Sequence, residues 1–575
     1  YRGYDSAGIA LAGETLSVYK TEGEVDELPV PERAGVDCGI GHTRWSTHGE
    51  PTETNAHPHT DCSGDVAVVH NGIIENYEAL KADLRDRHVF KSDTDTEVIP
   101  HLIEDHLADG VSLLTAVQRT TAQLAGSFAI AVTAASYGGV VVAREDSPLL
   151  VGHGEHATFI GSDATAFIEH TDRVTYLESD DIARITRDDI EIYNDGARVT
   201  RETETLEWDA DAAGKSGYEH YMLKEIHEQP RALRQAISDR IDEFATSVNL
   251  DVSLSDEYLR SVDEIQVIAC GTSYHAGLYA AELLEVYADV RVSVEIASEY
   301  RFASGRDSEQ TLVVAITQSG ETADTLSALR TADRAGARTL AITNTLGSTV
   351  TREADDSVFI RAGPEIGVAA TKTFVSQVAT ATLFTVYLGQ VRNALSRKRA
   401  STLLESVRGL PGAIQQVLDR EATIKQTALE YADSEAFFYI GRHAGYPVAL
   451  ESALKLKEIS YDHAEGFPAG ELKHGPLALV TPETPVIALL TNATNAAKTL
   501  NNVKEVNSRG APVIGVTSDP AHTTQVDTTF DIPDCGPLEP VVANVALQLF
   551  AYYVADEKDR PIDKPRNLAK SVTVE

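Results

Sequence analysis

Hydrophobic and polar positions follow two different patterns along the chain, and the change falls near residue 208. Before it, short apolar or β-branched runs such as Val66–Val69, Phe128–Thr133 and Val140–Ala143 are separated by Gly and Asp turns, which predicts strands. Amphipathic stretches at Tyr77–Arg87 and Thr96–Ala108 predict helices among them. We therefore predict an α+β domain in this region.

The rest of the chain contains an internal repeat. Ile265–Ala281 has the pattern strand, Gly-containing loop, helix, and Ala436–Ala453 repeats it. A second strand follows in each half, at Leu312–Thr317 and Pro485–Thr491. Alternating strands and amphipathic helices predict two doubly wound α/β domains, which bind ligands beyond the carboxyl ends of their strands. Coincidental similarity between two strand–helix units is the alternative.

Length and linker composition divide the chain further. A chain of 575 residues exceeds one hydrophobic core, because domains hold roughly 100–200 residues each. The small and polar stretch 209–217 predicts a linker. The predicted parts are an α+β domain at 1–208, a linker at 209–225, α/β domains at 226–400 and 401–560, and a tail at 561–575.

Charge and cysteine usage exclude several classes of partner. The 49 basic and 88 acidic residues give a formal charge of −39, which repels nucleic acid and anionic lipid. The acidic residues are spread along the whole chain, as in proteins of salt-loving microbes. The four cysteines form no CxxC pair, and no apolar run reaches the ~18 residues of a membrane span. We expect a cytoplasmic protein without nucleic-acid or membrane partners.

Two loops after strands of the first α/β domain are rich in hydroxyl groups. Thr317–Thr322 precedes a predicted helix, and Cys270–Ser273 ends the neighbouring strand in the same way. Backbone N–H groups and hydroxyls at a helix N-terminus favour a phosphate. Ordinary helix capping explains either loop alone equally well.

A scarcity of lysine makes one cluster in the second α/β domain informative. Three of only 16 lysines fall between positions 455 and 473. Glu451, Lys455 and Glu458 share one face of a predicted helix, which indicates either a surface ion pair or a catalytic group. The following turn brings Glu471, Lys473 and His474 together without helical spacing. A carboxylate and a histidine suit proton transfer next to a sugar carbonyl.

The α+β domain carries five histidines between positions 42 and 70. They lie on mixed loops without an i, i+4 pair or a Cys-rich partner, so we expect no metal. Arg44 is a candidate carboxylate fork, and Asn71 and Gly72 are candidate oxyanion donors. Ordinary turn hydrogen bonds remain the alternative for each of them.

Together these segments resemble a known family over essentially the full length. The residues that carry the resemblance are HTRWSTHG, HNGIIEN, CGTS, QSGETADT, EIGVAATK, ALKLKEIS, ELKHGPLAL and the ending PRNLAKSVTVE. They resemble the glutamine–fructose-6-phosphate aminotransferase (isomerizing) family. The resemblance implies an N-terminal-nucleophile (Ntn) glutaminase sandwich followed by two sugar isomerase (SIS) domains. It also implies transfer of nitrogen from glutamine to fructose 6-phosphate.

The resemblance assigns residues to glutamine in the first domain. Those that match positions holding glutamine or its oxyanion are Arg2, Arg44, Trp45, Thr47, His48, Asn71, Gly72 and Asp95. Asp95 matches the group that takes the amino end of the substrate, and Trp45 the gate of an internal ammonia channel. The nucleophile of the family is a cysteine that begins the mature chain, and it is expected shortly before Tyr1. Neither Cys38 nor Cys62 matches it.

The resemblance assigns a second set to fructose 6-phosphate. Sugar-phosphate binding is matched by Ser273, Gln318, Ser319, Thr322 and Val368, and catalysis by Lys570, Glu458, His474 and Lys455. Lys570 matches the amine that forms a Schiff base, Glu458 the base between C1 and C2, and His474 the group that opens the ring. The family needs no metal or organic cofactor and acts as a homodimer. A related SIS isomerase or deglycase, and a non-catalytic sugar-phosphate sensor, are the alternatives.

Overall fold

The computed structural model describes residues 6–23, 25–29, 36, 38–44, 52–145, 147–187, 189–205, 215, 217–241, 246–250, 252–303 and 305–573. The chain divides into an N-terminal unit, residues 1–211 with 571–575, and a C-terminal unit, residues 212–570. Most of the predicted linker 209–217 lies outside the described residues.

Antiparallel strands and three helices form the described part of the N-terminal unit. The strands are β1 (Ser6–Ala12), β2 (Leu16–Glu22), β3 (Cys38–Arg44), β4 (His59–Thr60), β5 (Val66–Ile74), β6 (Gly126–Ala134), β7 (Gly139–Glu145), β8 (Leu150–His153), β9 (Thr158–Gly161), β10 (Arg173–Tyr176), β11 (Ile182–Thr186), β12 (Ile190–Asn194), β13 (Ala197–Val199) and β14 (Glu204–Thr205). The helices are α1 (Tyr77–Leu84), α2 (Val98–Ala108) and α3 (Leu113–Thr121). The strand orders are β2-β1-β3, β14-β10-β8-β9 and β13-β12-β11-β7-β6-β5-β4.

Alternating side chains of the seven-stranded sheet separate two hydrophobic cores. On one face, Val66 and Val68 pack with apolar residues of the three helices, among them Ile99. On the other, Val69 packs with residues of the three-stranded sheet such as Ala10. This period of two is the pattern that predicted the strands, and it confirms the α+β class.

The C-terminal unit contains two parallel sheets surrounded by helices. Its strands are β15 (Glu264–Ala269), β16 (Arg291–Ile296), β17 (Thr311–Ile316), β18 (Arg338–Thr343), β19 (Asp356–Phe359), β20 (Ala436–Gly441), β21 (His463–Pro468), β22 (Val486–Leu489), β23 (Val513–Thr517) and β24 (Thr528–Asp531). Its helices are α4 (Tyr221–Ile237), α5 (Asp256–Ser261), α6 (Gly271–Ala288), α7 (Ala323–Arg334), α8 (Thr349–Glu353), α9 (Lys372–Val391), α10 (Arg397–Leu418), α11 (Glu421–Tyr431), α12 (Gly445–Ser460), α13 (Ala496–Asn507) and α14 (Glu539–Glu557).

The two parallel sheets have the same topology. Their orders are β16-β15-β17-β18-β19 and β21-β20-β22-β23-β24, so each strand of the first half has a counterpart in the second. This confirms the predicted repeat of doubly wound α/β domains. The loops after β15 and β17 lie at one sheet edge, because these strands are parallel neighbours.

Two helices of this unit are long and apolar enough to cross a membrane by length and composition alone. They are Lys372–Val391 and the segment Gly536–Glu557, of which 83% and 100% of the apolar window is buried inside the protein. The sequence analysis found no run of this length because occasional polar residues interrupt both segments. Their burial is that of core helices.

Candidate active sites

In the N-terminal unit, the candidate oxyanion donors lie next to each other on β5. Gly72 has a φ of +126°, and a Cβ there would come within 2.0 Å of the Ser127 carbonyl oxygen, so only glycine fits. His42 Nε2 donates to Asn71 Oδ1 at 2.7 Å. Because the amide oxygen is engaged, Asn71 offers its NH₂ group as a donor.

Asp95 is connected directly to the same strand. Its Oδ2 accepts a hydrogen bond from the Ile74 N–H at 2.8 Å, and the residue is buried immediately before α2. Arg44 is also buried, as the last residue of β3. The other residues assigned to glutamine, Arg2, Trp45, Thr47 and His48, lie outside the described residues.

The histidines of this unit stack on one another. The rings of His42 and His57 are 4.2 Å apart and nearly parallel, and His59 meets His57 edge-on at 4.8 Å. Burial lowers the pKa of His42 to about 4, and it also lowers the pKa of His57 and His59. These rings are therefore neutral near pH 7, where His42 serves as the neutral partner of Asn71.

In the C-terminal unit, both hydroxyl-rich loops stand at the predicted sheet edge. Ser273 lies in the first turn of α6, and its Oγ accepts a hydrogen bond from Gln377 Nε2 at 2.9 Å. In the loop before α7, Ser319 Oγ accepts from the Glu321 N–H at 3.2 Å. Gly320 has a φ of +71°, which turns the chain into the helix. Gln318 and Thr322 belong to this same loop.

Lys570 and Glu365 form a buried ion pair between the C-terminal tail and the first α/β half. Their side chains are 4% and 0% exposed. Glu365 also accepts hydrogen bonds from the backbone N–H groups of Thr371 and Thr373, at 2.9 and 3.0 Å. Burial raises the pKa of Glu365, but Lys570 and these donors lower it further, to about 2. Glu365 is thus a fixed carboxylate beside the amine.

The three charged residues predicted on one helix face form a buried cluster on α12. Lys455 Nζ lies 2.6 Å from Glu458 Oε2 and 3.5 Å from Glu451 Oε1. It also donates to Thr272 Oγ1 at 3.1 Å, beside Ser273 in the first half. Lys455 is 1% exposed, so the surface ion pair considered from the sequence is wrong.

Burial and charge set the protonation of this cluster. Burial lowers the pKa of Lys455, but Glu451 and Glu458 outweigh it and the net shift is upward; Glu365 acts in the same direction. Burial raises the pKa of Glu458, which Lys455 and Lys570 only partly offset. The cluster and the Lys570–Glu365 pair are therefore electrostatically coupled. A carboxylate with a raised pKa can exchange a proton near neutral pH.

Two other residues predicted at the sugar-phosphate site, Val368 and His474, lie on other elements of the C-terminal unit. The Val368 N–H donates to the Asp563 carbonyl at 3.2 Å, which fastens the loop before α9 to the tail. His474 is exposed on the short 3₁₀ helix Glu471–His474, and the described contacts do not join it to Lys570 or Glu458.

Comparison with known proteins matches the fold on both sides of the linker. A glutamine amidotransferase domain model matches residues 42–169, and an SIS domain model matches residues 258–387 and 430–555. The chain is 71% identical to the glutamine–fructose-6-phosphate aminotransferase (isomerizing) of Halobacterium salinarum, over 100% of this chain and 96% of the relative. The chain belongs to this family. The Methanosarcina acetivorans member is 46% identical over the same shares.

A solved structure agrees with this assignment for the C-terminal unit. The C-terminal domain of glucosamine-fructose-6-phosphate aminotransferase from Francisella tularensis superposes with a TM-score of 0.58 at 39% identity. It covers 61% of this chain and 100% of that chain. The two repeated α/β halves are therefore SIS domains of this family.

Three residues of the site were missed by the sequence analysis. Glu365 opens the segment EIGVAATK, but its backbone clamp and its distant partner Lys570 leave no local signal. Gln377 is fully buried inside an otherwise apolar helix. The polar amide at such a position is the only sequence signal for its hydrogen bond to Ser273. Glu225 on α4 accepts from the Gly367 N–H at 3.3 Å, and burial together with Glu365 raises its pKa to about 8.

Proposed function

We propose that the protein converts D-fructose 6-phosphate and L-glutamine into D-glucosamine 6-phosphate and L-glutamate. The observation that carries the proposal is the buried pair Lys570–Glu365 coupled to Glu458 in a pair of SIS domains. A lysine amine is the group that forms a Schiff base with a ketone, and Glu365 holds this amine in a fixed position. The full-length similarity to the Halobacterium salinarum enzyme supports the same reaction.

The phosphate of the sugar is proposed to bind at the loop before α7 and at Ser273. Loop N–H groups and the hydroxyls of Ser319 and Thr322 face the N-terminal end of α7, where the helix dipole favours an anion. Gln318 adds an amide, and the backbone at Val368 adds a contact on the sugar side. The hydrogen bond from Gln377 fixes the Ser273 hydroxyl for this role.

Lys570 is proposed to attack C2 of the open-chain sugar after losing a proton to solvent, while the Glu365 carboxylate holds the amine in position. The C2–N bond forms and the ketone oxygen leaves as water. Ammonia then replaces the lysine amine at C2. Glu458 moves a proton from C1 to C2, which converts the ketose imine into the amino aldose. Lys455 balances the charge of Glu458, and His474 is proposed to open the ring.

The ammonia is proposed to come from glutamine hydrolysis in the N-terminal unit. Asn71 and the Gly72 backbone N–H are suited to stabilise an oxyanion, and Asp95 to receive the amino group of glutamine. Arg44 and the other residues assigned by resemblance bind the substrate in this proposal. The nucleophile in this proposal is the cysteine that the family resemblance implies, which neither Cys38 nor Cys62 matches.

We also propose a cytoplasmic homodimer from a salt-loving microbe. The dispersed acidic charge of −39 and the similarity to a Halobacterium protein support the salt-loving origin. The exposure of His474 supports a dimer, because an exposed catalytic histidine can reach the site of a second subunit. The proposed bounds of the domains stay at 1–208, 226–400 and 401–560, with the linker 209–225 and the tail 561–575.

Borohydride trapping tests the proposal. The full chain is incubated with fructose 6-phosphate, reduced, digested and analysed by mass spectrometry. We expect a hexose phosphate adduct on Lys570, and no turnover with ammonium in Lys570→Ala. Lys564→Ala, in the same tail, is the matched control and should remain active. An adduct on Lys455 alone, or normal turnover of Lys570→Ala, contradicts the assignment; conversion of fructose 6-phosphate to glucose 6-phosphate without amination favours an SIS isomerase.

A further inference from the structure

Four side chains with metal-binding atoms converge in the N-terminal unit, and none of them was assigned to glutamine. Cys62 lies between β4 and β5, His88 follows α1, and His101 and Glu104 stand on α2. One ligand atom from each lies within 4.8 Å of all the others. The four come from three separate segments, which is why no spacing motif announced them.

Four of the six distances among these atoms are close to those of a tetrahedral site. Cys62 Sγ lies 3.5 Å from His88 Nδ1 and 3.7 Å from His101 Nδ1. Glu104 Oε2 lies 3.1 and 3.5 Å from the same two nitrogens. Around a zinc ion with bonds of ~2.3 Å to sulfur and ~2.0–2.1 Å to nitrogen and oxygen, ligand atoms lie about 3.3–3.6 Å apart.

Hydrogen bonds account for only part of this convergence. His88 Nε2 lies 3.0 Å from Asp105 Oδ1, an acceptor, so a neutral imidazole there carries its proton on Nε2. Its Nδ1 is then an acceptor that lies 3.5 Å from the Cys62 thiol, a weak donor, and 3.1 Å from Glu104 Oε2, another acceptor. A cation among these three atoms removes the conflict between the two acceptors. A hydrogen bond from the Cys62 thiol to His88 is the competing explanation.

The surroundings match those of a structural metal site. His88 and His101 are buried, and the Asp105 carboxylate lies 3.0 Å from His88 Nε2. The Glu97 carboxylate lies 3.9 Å from His101 Nε2, beyond hydrogen-bond distance. An outer carboxylate such as Asp105 fixes the orientation of a ligand histidine. The Cys62 N–H also donates to Glu104 Oε2 at 3.0 Å, so two ligands are positioned relative to each other. Cys62 is exposed, which leaves a path for an ion from solvent.

We propose that Cys62, His88, His101 and Glu104 bind one Zn²⁺ ion. A mixed set of one sulfur, two nitrogens and one oxygen in tetrahedral geometry favours zinc over magnesium or calcium. All four positions are protein ligands, so the ion is structural and takes no part in the reaction. The ion would link the loop before β5 and the segment after α1 to α2. This helix begins at Val98, three residues after Asp95.

Zinc content of the full chain is the first test. The purified protein is stripped with a chelator, reloaded with zinc chloride, passed over a desalting column and analysed by mass spectrometry of the metal. We expect about one zinc per chain, and none in Cys62→Ser or His88→Gln. Cys38→Ser and His106→Gln replace a cysteine of the same unit and a histidine of the same helix, and both should retain the ion.

Cobalt provides a test that does not depend on a variant. In the wild-type chain, Co²⁺ should give the intense ligand-field bands of a tetrahedral site and a thiolate-to-cobalt charge-transfer band. Asp105→Asn, which alters the partner of His88 and also the 2.8 Å ion pair with Arg87, should weaken zinc binding about 10–100-fold in competition with a chelating dye. The proposal is overturned if the wild type holds no zinc, if Cys62→Ser holds as much as Cys38→Ser, or if cobalt gives only weak octahedral bands. A Cys62 thiol that is hydrogen-bonded to His88 in place of a metal predicts the first of these results.

Discussion

The two SIS halves share a topology but differ at one equivalent loop. In each half a central strand leads into a helix, through residues 317–322 in the first half and 490–495 in the second. In the first loop, the carboxylate of Glu321 accepts from the Thr349 N–H at 2.8 Å. In the second loop, the Asn492 N–H donates at 2.9 Å to Glu539, which is fully buried.

This difference indicates how the two copies of a duplicated fold can take different functions. The buried Glu539 accepts from one backbone N–H of this loop, that of Asn492, which a phosphate would use, and its carboxylate disfavours a second anion there. The first half instead presents Ser319 and Thr322 on its loop. The second half contributes Glu451, Lys455 and Glu458 from α12. In the proposed function, binding of the sugar phosphate and proton transfer therefore belong to different halves.

Removing the base of the second half should have the largest effect. Glu458→Gln keeps the shape but cannot take a proton, so kcat should fall about 10²–10⁴-fold with ammonium as nitrogen donor. KM for fructose 6-phosphate should change little, because the proposed phosphate site lies in the first half. Glu465→Gln, an exposed glutamate on β21, is the control. An unchanged kcat, or a loss confined to KM, would break the proposed division.

Glu225 allows the stability of the first half to be tested, because its carboxyl group accepts a hydrogen bond from the loop before α9. Its folded pKa of about 8 lies above the ordinary 4.5, so the folded state keeps a proton that the unfolded chain loses. Stability from this group is complete below about pH 4.5 and declines as pH rises toward about 8, by up to ~1.4 kcal/mol per pH unit.

Glu225→Gln should therefore gain melting temperature relative to the wild type as pH rises through this range, with no further gain above it. Glu219→Gln, an exposed residue just before α4, should give a constant difference. Parallel melting curves for Glu225→Gln and wild type at every pH would contradict a protonated Glu225. The measurement is thermal melting between pH 5 and 9.

Salt concentration should have the smallest effect on stability, and this effect should not differ between the two SIS halves. The charge of −39 is spread along the chain, and the Debye length falls from ~10 Å at 0.1 M to ~3 Å at 1 M salt. Melting temperature should therefore rise with KCl up to molar concentration. Sucrose at equal osmolality is the control for general exclusion effects. A flat or falling curve in KCl contradicts the interpretation of the acidic surface.

Structural features that depend on local periodicity could be predicted from the sequence. The βαβ repeat and the shared face of Glu451, Lys455 and Glu458 follow from spacings of two and of three to four residues, and both are confirmed. Burial of that face was not predictable, because a Glu-Lys-Glu spacing looks the same on a surface helix. The partnership of Lys570 with Glu365 also left no signal, since 205 residues separate them.

The difference between the two loops was hidden for the same physical reason. Glu539 lies 47 residues beyond Asn492 and begins a helix of its own, so only the folded chain brings its carboxylate to the loop. In the N-terminal unit, the connection between Asp95 and Ile74 depends on a backbone N–H, which any residue type supplies. Long-range contacts through backbone groups are invisible to residue patterns.

Equilibrium binding of fructose 6-phosphate tests the central claim most directly, that only the first SIS half holds the phosphate. Isothermal titration calorimetry compares the wild type with Ser319→Ala and with Asn492→Ala, the corresponding loop of the second half. Loss of one hydrogen bond to a charged group predicts about 10–100-fold weaker binding for Ser319→Ala. Asn492→Ala should bind as tightly as the wild type. Equal weakening of both variants, or weakening of Asn492→Ala alone, would contradict the account.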